Sequence, residues 1–389
     1  MNNGVGTNTK PVKKKHKLLS LILVFLILFA LLLTLLAFIP SGIPGQSILA
    51  SWFSSNIPVF TVDEFIFDVG RNRAFAHSNG YIAAVGSLGL QVLDSGGRET
   101  LRDSFRVEQP AIVENHEYFA AFDIGGNAIR MFRASNIISA IETDGVIVSV
   151  SINKNGWFCV VTQEQGGFLG TVTVYNSDGI PVYLVNMGTG YVVSAHLSPD
   201  NEILAIVNLS DTGSRITYYN GINTHKDDPD YIFTLPDSII IDITFITNSK
   251  ILAVSTDSLL TIDSDGTPNH IYTFTDKRIG GYTKTDDFIA LHLYDYSIGY
   301  SGRLLTLKDD GAILGEITTN REIIFMSATG KSLVLLLSDS IVSFNETLEI
   351  YPIFGEGYSA ASYVLALTED VALAAGDNSA NIFRRGEGD

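Results

Sequence analysis

The chain has 389 residues, of which 46% are hydrophobic and only 17% charged, with a formal net charge of −17. It is too long for one ordinary hydrophobic core, so two domains or a modular repeat are expected. Five of the 25 basic residues lie in 1–17, which leaves 20 against 42 acids in the remainder, a net of −22. Such an acidic body repels nucleic-acid phosphates and anionic lipid alike, so no nucleic-acid partner is expected.

The first 17 residues carry Lys10, Lys13, Lys14, Lys15 and Lys17 and no acid. Leu18 to Ile39 follows, a run of 22 uncharged residues interrupted only by Ser20 and Thr34. At about 1.5 Å per residue it spans roughly 33 Å, enough for the hydrocarbon core of a bilayer. Lysines on its N-terminal side place 1–17 in the cytoplasm and the rest of the chain outside. A cleaved signal peptide is the rival reading, with Ala50 as the small residue that follows. Its apolar region is usually shorter, about 7–15 residues, so the expectation is a single-pass transmembrane helix at 18–39. Residues 40–59 contain Pro40, Pro44 and Pro58 with several serines, and read as a linker.

The only cysteine, Cys159, lies far from the N-terminus, against a lipoprotein anchor, and excludes an intramolecular disulfide. Within "WFCVV" it reads as a buried, inert thiol.

Beyond residue 60, short runs rich in Val, Ile, Leu, Phe and Tyr alternate with turn residues. Eight of them are entered from a polar turn: "NGYIAAV", "HEYFAAF", "NGWFCVV", "DNEILAIV", "SKILAV", "DDFIALHL", "GKSLVLLL" and "EDVALAA". From Tyr81 to Val371 the mean step is about 41 residues, the period of a propeller blade. A strand precedes each anchor, another follows it, and a polar strand ends each unit. The spacing therefore predicts an all-β, eight-bladed β-propeller of four-stranded blades over 60–389, with seven blades as the alternative if the weak second unit merges with a neighbour. The last unit has three strands, and "FTVDEFIFDV" at 60–69 is spare, so it is expected to complete that blade and remove an open edge.

"NSDG" at 176–179 and the related "DSDG" (263–266) and "KDDG" (308–311) fall between third and fourth strands. Asp and Asn cap such turns, and Gly supplies a positive φ. A calcium loop needs carboxylates at alternating positions plus a distant bidentate acid, and only Asp263 and Asp265 approach that spacing. Structural turns are the expectation; no metal site and no cofactor is implied.

"HLSPDNEILAIV" at 196–207 resembles the "SPDG" turn that enters a strand in WD40-like and TolB-like propeller repeats. The whole layout of basic tip, one span and propeller resembles an uncharacterised family of bacterial single-pass, membrane-anchored propellers, a domain of unknown function. That resemblance implies fold and topology and brings no catalytic residues.

Chemistry is sparse. With only Trp52 and Trp157, the repeated tryptophans of quinone-cofactor propellers are missing; "DSDGTPN" fails the sialidase Asp-box spacing, and no G-x-S-x-G or H-E-x-x-H occurs. His77, His116, His196, His270 and His292 fall in separate strands or turns, where they meet only if they converge at the ring centre. Links between second and third strands lengthen at 163–170, 209–214 and 294–302, and propeller topology puts them on one face. Tyr294, Tyr296 and Tyr300 with Phe168 would give that face exposed aromatics suited to a protein or glycan partner. The expected function is a non-catalytic binding or scaffold module of the cell envelope, on the outer side of the membrane. The alternative is an envelope hydrolase or lyase with its site at the channel mouth.

Overall fold

In the computed structural model, which describes residues 60–385 apart from 164–165, 223–227, 275, 296–298, 351–354, 357–360 and 377–378, the described residues fold almost entirely into strands. The candidate span 18–39 and the linker lie outside the described residues, among which no helix is long and apolar enough to cross a membrane. The strands belong to one compact unit, Pro58–Asp389.

They form eight four-stranded antiparallel sheets. Blades 1 to 7 occupy 74–103, 110–142, 147–187, 191–236, 240–273, 277–319 and 323–356, each in simple chain order. The second blade is a full unit, so the seven-bladed alternative does not hold. Blade 8 takes three strands from 363–385 and its outermost strand, Phe60–Ile66, from the other end of the chain. That strand pairs in register from Phe60 opposite Arg385 to Ile66 opposite Ser379. First strands of adjacent blades adjoin around the ring, and Tyr363–Thr368 adjoins Ala74–Ser78 to close it. The Tyr363 hydroxyl donates to the Phe75 carbonyl across this junction at 3.1 Å.

All eight anchor runs form second strands. These strands are covered by blades on both sides, which is why they read as continuous apolar runs such as Ile251–Val254 and Leu333–Leu337. Cys159 lies fully buried in one of them, and burial pushes its thiol up to about 12, so it stays protonated. In "SPD", the Ser198 hydroxyl accepts the Ile203 N–H at 2.9 Å and meets the Asp200 carboxylate at 2.6 Å, fixing the turn into the second strand.

The glycine-ended turns do join third to fourth strands. At 263–266, Gly266 N–H donates to the Asp263 carbonyl, and the Asp265 carboxylate accepts the Thr267 N–H. Gly266 has φ +78°, and a Cβ there would sit 1.4 Å from the Tyr231 ring on the outermost strand of blade 4. The residue thus answers two demands: a left-handed backbone and close approach of the preceding blade.

One face carries the links between second and third strands and the blade-to-blade connections. The other carries the first-to-second hairpins and the glycine turns. Strand Phe60–Ile66 begins, and strand Ser379–Arg385 ends, on the turn face.

Candidate functional site

Most exposed large apolar side chains gather on the loop face. Leu88, Ile124, Phe168 and Tyr300 stand on links between second and third strands; Val146, Tyr191 and Ile239 stand on or beside blade connections. Ile241 and Ile324 belong there too. Each is the extra residue of a bulge near the start of a first strand, and the bulge turns it out of the pairing register. Ile66, the last residue of the closing strand, completes the series. Each of the eight blades thus contributes at least one exposed apolar side chain to the loop face. The turn face has fewer such residues, among them Ile180, Ile313 and Ile350; exposed acids stand on both faces, among them Asp178, Asp200, Asp286 and Asp309 on the turn face and Asp68, Glu108, Asp144, Asp211, Asp237 and Asp339 on the loop face.

The aromatic residues singled out in the sequence have different fates. Phe168 and Tyr300 are exposed, at 40% and 48%. Tyr294, expected to be exposed, is only 9% accessible. Its ring lies edge-on to His292 at 4.3 Å, beneath the Arg278 guanidinium at 5.1 Å, and so close to Gly280 that a Cβ there would meet it at 2.5 Å. Tyr294 therefore supports Tyr300, whose ring centroid is 6.5 Å away. Tyr296 lies outside the described residues. Stretch 209–214, expected as a long link, is a tight hairpin instead: Ser210 pairs with Gly213, and only Asp211 and Thr212 form the turn. Buried Asn208 explains the misreading, because its side chain donates to the Thr189 carbonyl inside the strand rather than facing solvent.

A second cluster lines the ring's inner wall. His196, Asp242 and Tyr282 stand on the first strands of blades 4, 5 and 6. His196 Nε2 lies 3.6 Å from Asp242 Oδ1, and the Tyr282 hydroxyl donates to Asp242 Oδ2. Burial alone would raise the Asp242 carboxyl, but His196, Tyr282 and the Ile243 N–H outweigh it and hold it below the usual range. Burial beside that carboxylate pushes the Tyr282 phenol up, so Tyr282 remains a donor. Sequence reasoning missed this cluster. The only available signal was polar residues on three first strands about 40 residues apart. On the first strand of blade 2, Glu114 is accessible to solvent yet enclosed, and burial raises its carboxyl to about 7.

Among the described residues no group of three or more His, Cys, Asp or Glu is placed to hold a metal ion.

Fold and loop face together define an eight-bladed β-propeller of the WD40-like kind. It is similar to the Dos1 propeller (12% identity, TM-score 0.56, covering 84% of this chain and 94% of that one). It is also similar to the WD40 domain of SCAP from fission yeast (12%, 0.55, 84% and 98%) and to the eukaryotic initiation factor structure (11%, 0.54, 86% and 89%). At such identities the likeness is one of fold. No curated protein sequence matches. Residues 66–347 match DUF5711, a family of unknown function, and the chain belongs to that family.

Proposed function

We propose that this protein is a membrane-anchored, extracytoplasmic binding module of the cell envelope that holds a protein partner on the loop face of its propeller. The concentration of exposed apolar side chains on that face carries the reading: apolar patches framed by polar residues favour partner docking. Loops on a rigid scaffold are also where binding residues concentrate. The lysine-flanked run 18–39 supports the anchor and its orientation, and β-propellers commonly serve as interaction scaffolds.

A photocrosslinking residue at position 168 or 300 is expected to capture the same partner from intact membranes, and one at 178 or 309 to capture none. Partner capture from the turn face alone, or a body shielded from protease added to intact protoplasts, overturns the reading.

The His196–Asp242–Tyr282 cluster favours the second reading, a site on the channel wall. There Asp242 would orient the imidazole as a general base and Tyr282 would supply a neutral donor. His196→Ala would then abolish turnover while leaving the chain folded and the loop-face crosslinks intact.

A further inference from the structure

A cavity of about 440 Å³ opens on the loop face, between the connection from blade 1 to blade 2 and the link at 124–127. That volume falls within the range of small-ligand sites, about 300–1,000 Å³. Its walls are pinned. The Asp123 carboxylate accepts the Glu108 and Gln109 N–H groups at 3.0 and 2.7 Å. Ile124 N–H donates to the Gln109 carbonyl, Gly125 N–H to Ile147, and Ile147 N–H to Gly126. The Thr143 N–H donates to the Asn127 carbonyl, and its hydroxyl donates to the Gly145 carbonyl at 2.7 Å. A backbone held this firmly is preorganised rather than collapsible.

The lining side chains divide by occupation. Arg106 is paired with Glu108, and Asp123 is consumed by the wall. Gln109, Asn127 and Glu142 are exposed lining residues whose side chains are left free by the hydrogen bonds of the wall. Ile124 supplies exposed apolar surface beside them, whereas the half-buried Phe105 ring packs on the core and lies under the Arg130 guanidinium at 4.5 Å. Two planar amides and a carboxylate offer donors and acceptors in pairs, the pattern that matches vicinal hydroxyls; the exposed Ile124 side chain suits the C–H face of a sugar ring. Three carboxylates against one guanidinium disfavour an anionic ligand.

We propose that this cavity binds a neutral saccharide unit, held by Gln109, Asn127 and Glu142 through its hydroxyls. The site shares Ile124 with the exposed apolar residues of the loop face and needs none of the others.

The test uses the full-length chain, purified in a detergent without a sugar head group, and saturation-transfer NMR with N-acetylglucosamine, maltose and glucuronic acid as probes. Transfer is expected to at least one neutral sugar and not to glucuronate. Glu142→Ala and Asn127→Ala should each weaken it at least tenfold with the melting temperature unchanged, because both residues are exposed; Tyr300→Ser should leave it intact. Absence of transfer to both neutral sugars, transfer undiminished in both variants, or equal binding of glucuronate overturns the proposal.

Discussion

Leu348 and Gly315 have exchanged the roles that a glycine and a bulky residue play between other blades. In blade 6, the third-to-fourth turn ends in Gly311, with φ +88°, and Ile271 of the preceding blade crowds it: a Cβ at 311 would lie 2.5 Å from the Ile271 carbonyl oxygen. In blade 7 the same turn ends in Leu348, at φ +60°, with the same Leu348 N–H to Asn345 carbonyl bond. There the small residue is Gly315 on the outermost strand of blade 6, where a Cβ would meet the Thr347 carbonyl oxygen at 2.4 Å and Leu348 Cγ at 3.1 Å. Leu348 is buried in the apolar cluster with Phe288, Leu333 and Phe344, which offsets its strained backbone. Gly315→Ala is therefore expected to cost about 1–3 kcal/mol by overpacking. Leu348→Gly should lose about 1–4 kcal/mol, the cavity cost less roughly 1 kcal/mol of relieved strain. The double variant Leu348→Gly with Gly315→Ala should lose less in urea unfolding than the sum of the two single losses, because the Leu348 Cγ contact is gone while that with the Thr347 carbonyl remains; strictly additive losses would show that the two positions are not coupled.

At 266 the demands of φ and space coincide, so substitution should be harsher. Gly266→Val is expected to lower stability by about 2–4 kcal/mol, from positive φ and from displacement of the Tyr231 ring. Asp263→Asn with Asp265→Asn should leave the melting temperature insensitive to calcium. A calcium-dependent rise lost in that double variant would make the turn a metal loop.

Deleting 60–66 should leave strand Ser379–Arg385 with an unpaired edge and the ring without its closing pair. Aggregation at micromolar concentration or a large drop in melting temperature is expected by light scattering and calorimetry. A truncated chain that melts like the intact one would refute closure as a source of stability.

Two titrating groups bias stability in opposite directions. Burial lowers His292 to about 4, below its ordinary 6.5. The unfolded chain binds the extra proton in that window, so stability is full above pH 6.5 and falls towards pH 4. His292→Gln should flatten the fall in melting temperature between pH 7 and 5. Glu114 is raised to about 7 from 4.5, so its contribution is best below pH 4.5 and declines as pH rises to 7. Glu114→Gln should raise the melting temperature at pH 8 by about 1–2 °C, a modest effect because solvent screens part of the cost, and by less at pH 4.5.

Blade number and closure were legible because buried second strands are uniformly apolar and because one strand at each end lacked a partner. Turn chemistry was legible for the same local reason: Asp, Asn and Gly act within four residues. Legibility failed where a residue's surroundings come from another blade or strand. Tyr294 looks like a loop aromatic until Gly280, fourteen positions upstream, lets its ring sink against the sheet. Asn208 looks like a loop polar residue until Thr189 takes its amide. His196, Asp242 and Tyr282 meet only because three first strands stand side by side at the axis, an azimuthal relation that a linear pattern does not encode. Leu348 shows the limit most plainly, since its turn departs from the glycine rule and its compensation lies in the neighbouring blade.

The closing strand also sets a clock. Asp63 and Arg384, which pair across it at 3.3 Å, are separated by 321 residues. Ribosomes add roughly 5–20 residues each second, so the first strand made waits on the order of tens of seconds for its only sheet partner. Seven blades can assemble as they emerge; the eighth cannot, and Phe60–Ile66 remains an unpaired strand for that whole interval. A chaperone that shields one short segment near the N-terminus would therefore protect the molecule at its most exposed stage, and a truncated transcript would yield a propeller that never shuts.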